Sequence, residues 1–145
     1  MAFRKVSGKT KIMYLPVAAS VAITSGNLVA FSSGTLVHAT NTVDSFSIVG
    51  VARKTIASTD SDYASAKLIP VEVPVEQNVV YRAPVAVGTL VASSVGLYFD
   101  LTTADDGSGI DQSASSLDIA LCVKYLSATE GHFVLNIGAL AKVKA

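Results

Sequence analysis

The chain has 145 residues, a single cysteine, and 11 basic and 11 acidic side chains that leave no net charge. This length suits one domain or two small packed halves, and one cysteine excludes an intrachain disulfide. A neutral chain has no domain-wide positive field, so we expect no binding to nucleic acid. Half of the residues are hydrophobic and only 15% are charged, which is low for a soluble monomer. We therefore expect a partner to cover part of the surface.

The first 14 residues form a distinct basic segment. We interpret residues 1–14 as an extended N-terminal arm that can reach an acidic neighbouring surface. The apolar stretch that follows is interrupted by Pro16, Ser20 and Gly26, so it fits neither a signal-peptide core nor a membrane helix of about 20 residues. We expect no membrane association, and we take four cations of the arm as the candidate contact residues: Arg4, Lys5, Lys9 and Lys11.

From residue 15 to residue 145 we expect a single β-rich domain. Valine is abundant, no window shows a sustained helical period, and short turns such as Ser25-Gly26 and Glu130-Gly131 separate the apolar runs. The pattern predicts an all-β fold, a small β-sandwich or barrel, with little helix. The predicted strands are Asn27 to Phe31, Thr35 to His38, Ile48 to Lys54, Lys67 to Val73, Val79 to Ala83, Thr89 to Ala92, Tyr98 to Leu101, Ile119 to Leu126 and His132 to Ile137.

A faint internal repeat runs through these strands. The segment that begins at Gly26 resembles the one that begins at Gly88, Gly34 and Gly96 share the same spacing, and Pro16-Val17-Ala18 matches Pro84-Val85-Ala86. We interpret the repeat as two similar halves, about 15–75 and 76–138, with an insertion in the second half around Thr102 to Ile110. The alternative is chance similarity among strands rich in valine and glycine, and the fold class is the same in either case.

The residues offer no recognisable catalytic set. The two histidines, His38 and His132, lie in no familiar setting, there is no Gly-x-Ser-x-Gly elbow, and Cys122 sits in an apolar run typical of a small buried hydrophobe. Ser7-Gly8-Lys9-Thr10 ends like a phosphate-binding loop, but Phe3 stands where that loop needs its first glycine. We predict no catalytic residue, no cofactor and no enzymatic activity.

The sequence contains no complete set of ligands for calcium or for zinc. The segment Asp105 to Asp111 gathers three carboxylates around glycines like part of a calcium loop, but it lacks the closing bidentate glutamate. An Asx turn explains the same residues, because Asp and Gly are what such turns use. One cysteine and two distant histidines supply no zinc ligands. We predict no metal site.

Three segments together resemble the small capsid decoration, or cement, proteins of tailed bacteriophages. They are Ser25-Gly26-Asn27-Leu28-Val29, Ser47-Ile48-Val49-Gly50-Val51-Ala52 and Leu68-Ile69-Pro70-Val71-Glu72-Val73-Pro74. The likeness covers roughly residues 15 to 138 and consists of the order of turns and strands rather than of reactive residues. It implies a β-tulip-like body, a homotrimer, and the major capsid protein as partner, on the outer surface of a virion made in the host cytoplasm. The chain departs from the simplest members in its second-half insertion and its polar loops.

Two other functions remain open. The first is another phage structural component, such as a tail, head-completion or spike protein, which would also be β-rich and poor in charge. The second is a carbohydrate-binding β-sandwich, although such sites usually stack sugars on exposed aromatic rings, and tryptophan is absent here.

Overall fold

The computed structural model describes residues 2–42, 47–104 and 106–136. The fold is all-β, as predicted, and its described part contains no α-helix. One 3-10 turn spans Ala92–Ser94. The strands in chain order are β1 (Arg4–Ser7), β2 (Thr10–Pro16), β3 (Leu28–Ser32), β4 (Thr35–His38), β5 (Ile48–Ala52), β6 (Leu68–Pro74), β7 (Val80–Val87), β8 (Tyr98–Leu101), β9 (Ile110–Asp111), β10 (Ala120–Ser127) and β11 (Glu130–Leu135).

The second half of the chain closes into a barrel. Its strands follow the order β7-β11-β10-β8-β9, and β9 returns to β7 in a parallel pairing that sets Ile110 beside Val85. Strand β1 pairs with the same edge of β7 as β9 does, but nearer the start of β7, where Arg4 lies opposite Arg82. We call β7 to β11 the C-terminal barrel. Closure removes most free edges from this half.

The first half forms a five-stranded antiparallel sheet with the order β2-β6-β5-β3-β4, which we call the N-terminal sheet. An isolated parallel bridge between Val17 and Leu36 brings β4 to the far end of β2. Adding five to each strand number of this order gives the order of the C-terminal barrel. The parallel contact of Val17 with Leu36 likewise corresponds to that of Val85 with Ile110. The two halves therefore share one topology.

The turns at equivalent positions have the same geometry. Gly26 and Gly96 have φ values of 93° and 92°, and their N–H groups donate to the carbonyls of Ala52 and Cys122, each at 2.8 Å. Gly26 therefore corresponds to Gly96, and the sequence match of Gly26 with Gly88 is wrong. A positive φ favours glycine at both sites. The match of Pro16 with Pro84 agrees with the strand pairing. Pro16 lies opposite Leu68, the first residue of β6, and Pro84 lies opposite Glu130, the first residue of β11.

Most predicted strands are present, although the last prediction ends at residue 137, outside the described residues. Thr89 to Ala92 is wrong, since the chain there enters the 3-10 turn instead of a sheet. Strands β1, β2 and β9 were not predicted. All four residues of β1 are exposed, and β2 is at most half-buried. Neither strand shows a clear two-residue alternation of apolar and polar side chains.

The interpretation of residues 1–14 as a separate arm differs from the structure. Residues 4–7 pair with β7, and residues 10–16 pair with β6 along their whole length. Phe3 is fully buried in the core of the C-terminal barrel, and its N–H donates to the carbonyl of Gly26 at 2.8 Å. The basic segment is thus built into both halves, because a buried aromatic ring and two strand pairings fix it.

Each half has its own core, and one of the cores joins the halves. The N-terminal sheet surrounds a cluster that includes Val29, Ile69 and Val71. Leu28 and Val51, on the other face of that sheet, belong instead to the core of the C-terminal barrel. The β8–β9 loop strengthens this contact, because the N–H of Leu28 donates to the carbonyl of Gly107 at 2.9 Å. The predicted insertion therefore lies between the two halves.

Candidate functional site

The structure separates the four candidate contact cations. Arg4 lies on the outer face of β1, opposite Arg82. The Nζ atom of Lys5 donates to Oγ1 of Thr10 at 3.2 Å, which places this cation at the start of β2. Lys9 lies in the β1–β2 turn, where its backbone N–H donates to Glu76 at 2.7 Å, and Lys11 is exposed on β2. Arg4 therefore lies beside the C-terminal barrel, whereas the Lys5 ammonium, Lys9 and Lys11 lie near the turn and the start of β2.

Arg4 is one end of a row of basic side chains that crosses four strands. Lys124 on β10 lies opposite His132 on β11, His132 lies opposite Arg82 on β7, and Arg82 lies opposite Arg4 on β1. Residues directly opposite each other in antiparallel strands share one face of the sheet. The neighbours Tyr81 and Phe133 are buried in the barrel, so the row points outward. We call these four residues the cationic row.

One acid partly neutralises this row. The Glu130 carboxylate forms an ion pair with the Arg82 guanidinium. This bond is the main cause that lowers the pKa of Glu130 and raises the pKa of Arg82. Burial, followed by the charges of Lys124 and Arg82, lowers the pKa of His132, so these neighbours disfavour a further proton there. Like charges opposite each other are destabilising. An acidic partner would relieve this repulsion.

An apolar row lies beside the cationic row. Tyr98 faces Leu121, Leu121 faces Val134, and Val134 faces Val80. These side chains share the outer face, two residues along β7 and β11 from Arg82 and His132. A groove of about 320 Å³ lies over this row and is lined by Gln77, Tyr98, Leu121, Val134, Leu135 and Asn136. We call the cationic and apolar rows together the docking face.

Two positions of the same row are covered in the N-terminal sheet. By register, Leu28 corresponds to Tyr98 and Val51 corresponds to Leu121. Leu28 and Val51 are 0% exposed because the C-terminal barrel packs on them, whereas Tyr98 is 42% exposed. These two positions thus lie in the interface between the halves. Among the described residues, the equivalent positions on the barrel have no such cover.

A second exposed apolar group lies on the outer face of β2 and β6. Ile12 and Tyr14 are 50% and 65% exposed, and Leu68 on the neighbouring strand is 61% exposed. Tyr14 lies opposite Pro70, and Pro16 lies opposite Leu68, so the group is continuous across the two strands. Large apolar side chains that cluster on a surface commonly mark an interaction site.

The other residues singled out in the sequence have structural surroundings. Cys122 is buried on β10, and burial raises the pKa of its thiol. Oδ1 of Asp106 accepts a hydrogen bond from the Ser108 N–H at 3.0 Å, and Oδ1 of Asp111 accepts one from the Ser113 N–H at 2.9 Å. Both are Asx turns, while Asp105 lies outside the described residues. Within the described ranges, no three metal-ligating side chains are grouped to hold an ion.

The buried carboxylate of Asp100 also acts structurally. Oδ1 of Asp100 accepts hydrogen bonds from the N–H groups of Leu117 and Asp118 at 2.8 and 3.1 Å. Oδ2 accepts bonds from the N–H and hydroxyl of Ser116 at 3.1 and 3.0 Å. Four donors satisfy this carboxylate and hold the loop before β10 against β8.

The comparisons with known proteins give no relative. No family model matches the chain, and the searches of curated proteins and of solved structures found no match. In the part of the chain that the structure describes, no helix is long and apolar enough to cross a membrane.

Sequence reasoning identified Arg4 but missed the rest of the docking face. Lys124, His132 and Arg82 are far apart in the chain, and only the pairing of β10, β11 and β7 aligns them. One signal was available in the sequence. In the pairs Tyr81-Arg82 and His132-Phe133, a polar residue stands next to an aromatic one. This alternation is expected for strands with one buried face and one solvent-exposed face.

Proposed function

We propose that this chain is a structural protein of a bacteriophage virion that binds the outer surface of the capsid and stabilises it by bridging subunits. The resemblance of the sequence to capsid decoration proteins supplies the identity of the partner, the major capsid protein. The docking face supplies a surface suited to attachment. The proposed assembly is a homotrimer, and the proposed location is the outer capsid surface of a virion made in the host cytoplasm.

The observation that carries the proposal is the contrast between the two copies of the apolar row. In the N-terminal sheet, Leu28 and Val51 of the row are fully buried against protein, whereas Ile12, the equivalent of Val80, is 50% exposed. In the C-terminal barrel, Tyr98 is 42% exposed among the described residues, and the row is bordered by four basic residues and one acid. A surface with apolar contact area and net positive charge fits an acidic protein surface.

Attachment to a repeated lattice explains how modest contacts could suffice. A trimer that touches several capsid subunits makes each dissociation event depend on the others, so that weak contacts combine into strong binding. The low proportion of charged residues, 15%, agrees with a surface that is largely covered in its assembled form.

The proposal is tested first by composition. Purified particles of a tailed phage whose genome encodes this chain should contain it at a copy number close to that of the main capsid subunit, measured by quantitative mass spectrometry. Roughly a dozen copies or fewer would favour a tail, connector or spike component. Absence from particles, together with specific binding on a glycan array, would favour the carbohydrate-binding alternative.

Charge reversal then tests the docking face itself. Lys124→Glu should weaken binding to expanded capsids prepared without the protein, because it places an acid against an acidic partner surface. Lys54→Glu is the matched control, since Lys54 is also exposed but lies outside the docking face. Co-sedimentation at low salt should show reduced attachment for Lys124→Glu alone. Equal loss in both variants would mean that attachment depends on net charge rather than on this face.

A further inference from the structure

One edge of β2 is open between Thr10 and Tyr14. Along its other edge, β2 pairs with β6 from Thr10 opposite Pro74 to Pro16 opposite Leu68. Among residues 2–42, 47–104 and 106–136, the only β-bridge on the open side comes after β2, where Val17 meets Leu36. The start of β2 therefore presents an unpaired strand edge, the feature to which another strand can add.

The alternation of hydrogen bonds shows which backbone groups face this edge. The N–H of Val17 donates to the carbonyl of Lys67 at 2.9 Å, and the N–H of Val75 donates to the carbonyl of Lys9 at 3.1 Å. In an antiparallel pair, the residues that bond to the partner alternate with residues that point away from it. The odd-numbered residues of β2 thus bond to β6. The N–H and C=O groups of Thr10, Ile12 and Tyr14 point to the open edge.

The equivalent edge in the C-terminal barrel is occupied. By register, Ile12 corresponds to Val80, which lies opposite Ser7, and Tyr14 corresponds to Arg82, which lies opposite Arg4. Strand β1 therefore fills on β7 the position that stays vacant on β2 among the described residues. The protein itself shows that this strand position in the shared topology accepts a short antiparallel strand.

The side chains around the open edge select the occupant. Ile12 and Tyr14 are 50% and 65% exposed, so an added strand can bury apolar area on them. Lys5, Lys9 and Lys11 lie at the start of the edge, where one acid, Glu76, accepts a hydrogen bond from the Lys9 N–H, so the three lysines outnumber it. A second copy of β1 or β2 would bring lysines against lysines. An acidic segment from a different protein would be attracted.

We propose that the open edge of β2 binds an extended segment of a partner protein by strand addition. The segment pairs antiparallel with residues 10–14, in the register by which β1 pairs with β7. Its side chains are apolar beside Ile12 and Tyr14, and acidic near Lys9 and Lys11. The inference deepens the proposed function and rests on it only for the source of the partner, since the edge itself is defined by geometry.

The probe is a fluorescein-labelled peptide, acetyl-Glu-Val-Glu-Val-Glu-Val-amide, titrated into the full chain and followed by fluorescence anisotropy. We expect binding together with slower hydrogen exchange at the backbone amides of Ile12 and Tyr14. The peptide Lys-Val-Lys-Val-Lys-Val should bind at least about tenfold more weakly, because its charges oppose those of the lysines. No binding of the acidic peptide, or protection only at another edge, would overturn the proposal.

A matched pair of variants tests the hydrogen bonds at the edge. Ile12→Pro removes an N–H that points away from β6. The native Pro16 is also an even-numbered residue of β2 and already lacks this N–H. This variant should bind the acidic peptide at least about tenfold more weakly than the native protein does. Ile12→Val keeps the N–H and an apolar side chain, so it should bind like the native protein. Equal affinities of Ile12→Pro and Ile12→Val would show that the peptide does not add as a strand.

Charge exchange gives a readout that does not depend on the fold of the proline variant. The double variant Lys9→Glu with Lys11→Glu should prefer the lysine peptide to the glutamate peptide, and an unchanged preference would contradict the proposed occupant. Particle composition separates the two proposals. If the chain is absent from virions but binds the peptide at β2, the proposed function fails and the strand-acceptor edge stands. The reverse result rejects only the edge.

Discussion

The N-terminal sheet and the C-terminal barrel have the same strand order but differ in which of their surfaces are covered. Among the described residues, the barrel has β1 on the edge of its first strand and has nothing over its outer apolar row. The N-terminal sheet has the reverse arrangement in the same described ranges, with Leu28 and Val51 of the row buried against the barrel and the edge of β2 unpaired from Thr10 to Tyr14. The comparison therefore marks two positions of the shared topology that are covered in one half and uncovered in the other.

The largest test of this comparison removes the anchor of β1. Phe3 is 0% exposed in the core of the C-terminal barrel, so Phe3→Ala should lower the free energy of unfolding by about 3–5 kcal/mol. Urea denaturation measures the change. Val6→Ala is the control, because Val6 lies on the same strand but is 48% exposed, and its effect should be within about 0.5 kcal/mol. Equal effects would mean that β1 is not held by its buried ring.

Deletion of the basic segment should affect folding as well as attachment. Removal of residues 1–11 would delete Phe3, all of β1 and the start of β2. The truncated chain should therefore lose stability as well as contact residues. Charge reversals at exposed lysines separate attachment from folding more cleanly.

The second test concerns the contact between the halves at the β8–β9 loop. A Cβ atom at Gly107 would lie 2.4 Å from the carbonyl oxygen of Leu28, whereas one at Gly96 would meet nothing within 4 Å. Both glycines have positive φ, which costs alanine about 1 kcal/mol. Gly96→Ala should show about this loss, and Gly107→Ala should add a further 1–3 kcal/mol or so by overpacking. Thermal denaturation compares them, and equal losses would show that the loop can move away from Leu28.

The smallest test concerns the cationic row. The pKa of His132 is lowered, chiefly by burial and then by Lys124 and Arg82. The folded state therefore binds fewer protons than the unfolded chain when the pH falls through the ordinary histidine pKa of about 6.5. The contribution of His132 to the free energy of unfolding is present above that pH and decreases below it. His132→Gln should reduce the loss of stability between neutral and mildly acidic pH, measured by urea denaturation, and an unchanged loss would contradict the lowered pKa of His132.

The fold class and most strands could be predicted because they depend on local signals. Apolar runs rich in β-branched or aromatic residues indicate where β3, β5 and β8 lie, and the glycine turns at Gly26 and Gly96 mark the starts of β3 and β8. Strands β1 and β2 could not be predicted, since their partners β7 and β6 are far along the chain and their lysines gave the pattern of a free arm. Only tertiary pairing shows that the arm is part of both halves.

The candidate site was less predictable than the fold, for the same reason. Arg4 was identified from a local cluster of charge, but the cationic row also needs Lys124, His132 and Arg82 in one register. The repeat helped only in part. The match of Pro16 with Pro84 was informative. The match of Gly26 with Gly88 failed because the spacing differs between the halves: Gly26 follows Pro16 by 10 residues, whereas Gly96 follows Pro84 by 12.

The pairing of β1 with β7 has a consequence for biosynthesis. Residues 4–7 are synthesised before their partner strand, which begins at Val80, so β1 can pair with β7 only after β2 to β6 have been made. The strands β2 to β6 are complete before then and can associate while the nascent chain lengthens. The barrel cannot enclose Phe3 during this interval. Completion of the core around this ring therefore requires the strands β7 to β11, which are synthesised after β2 to β6.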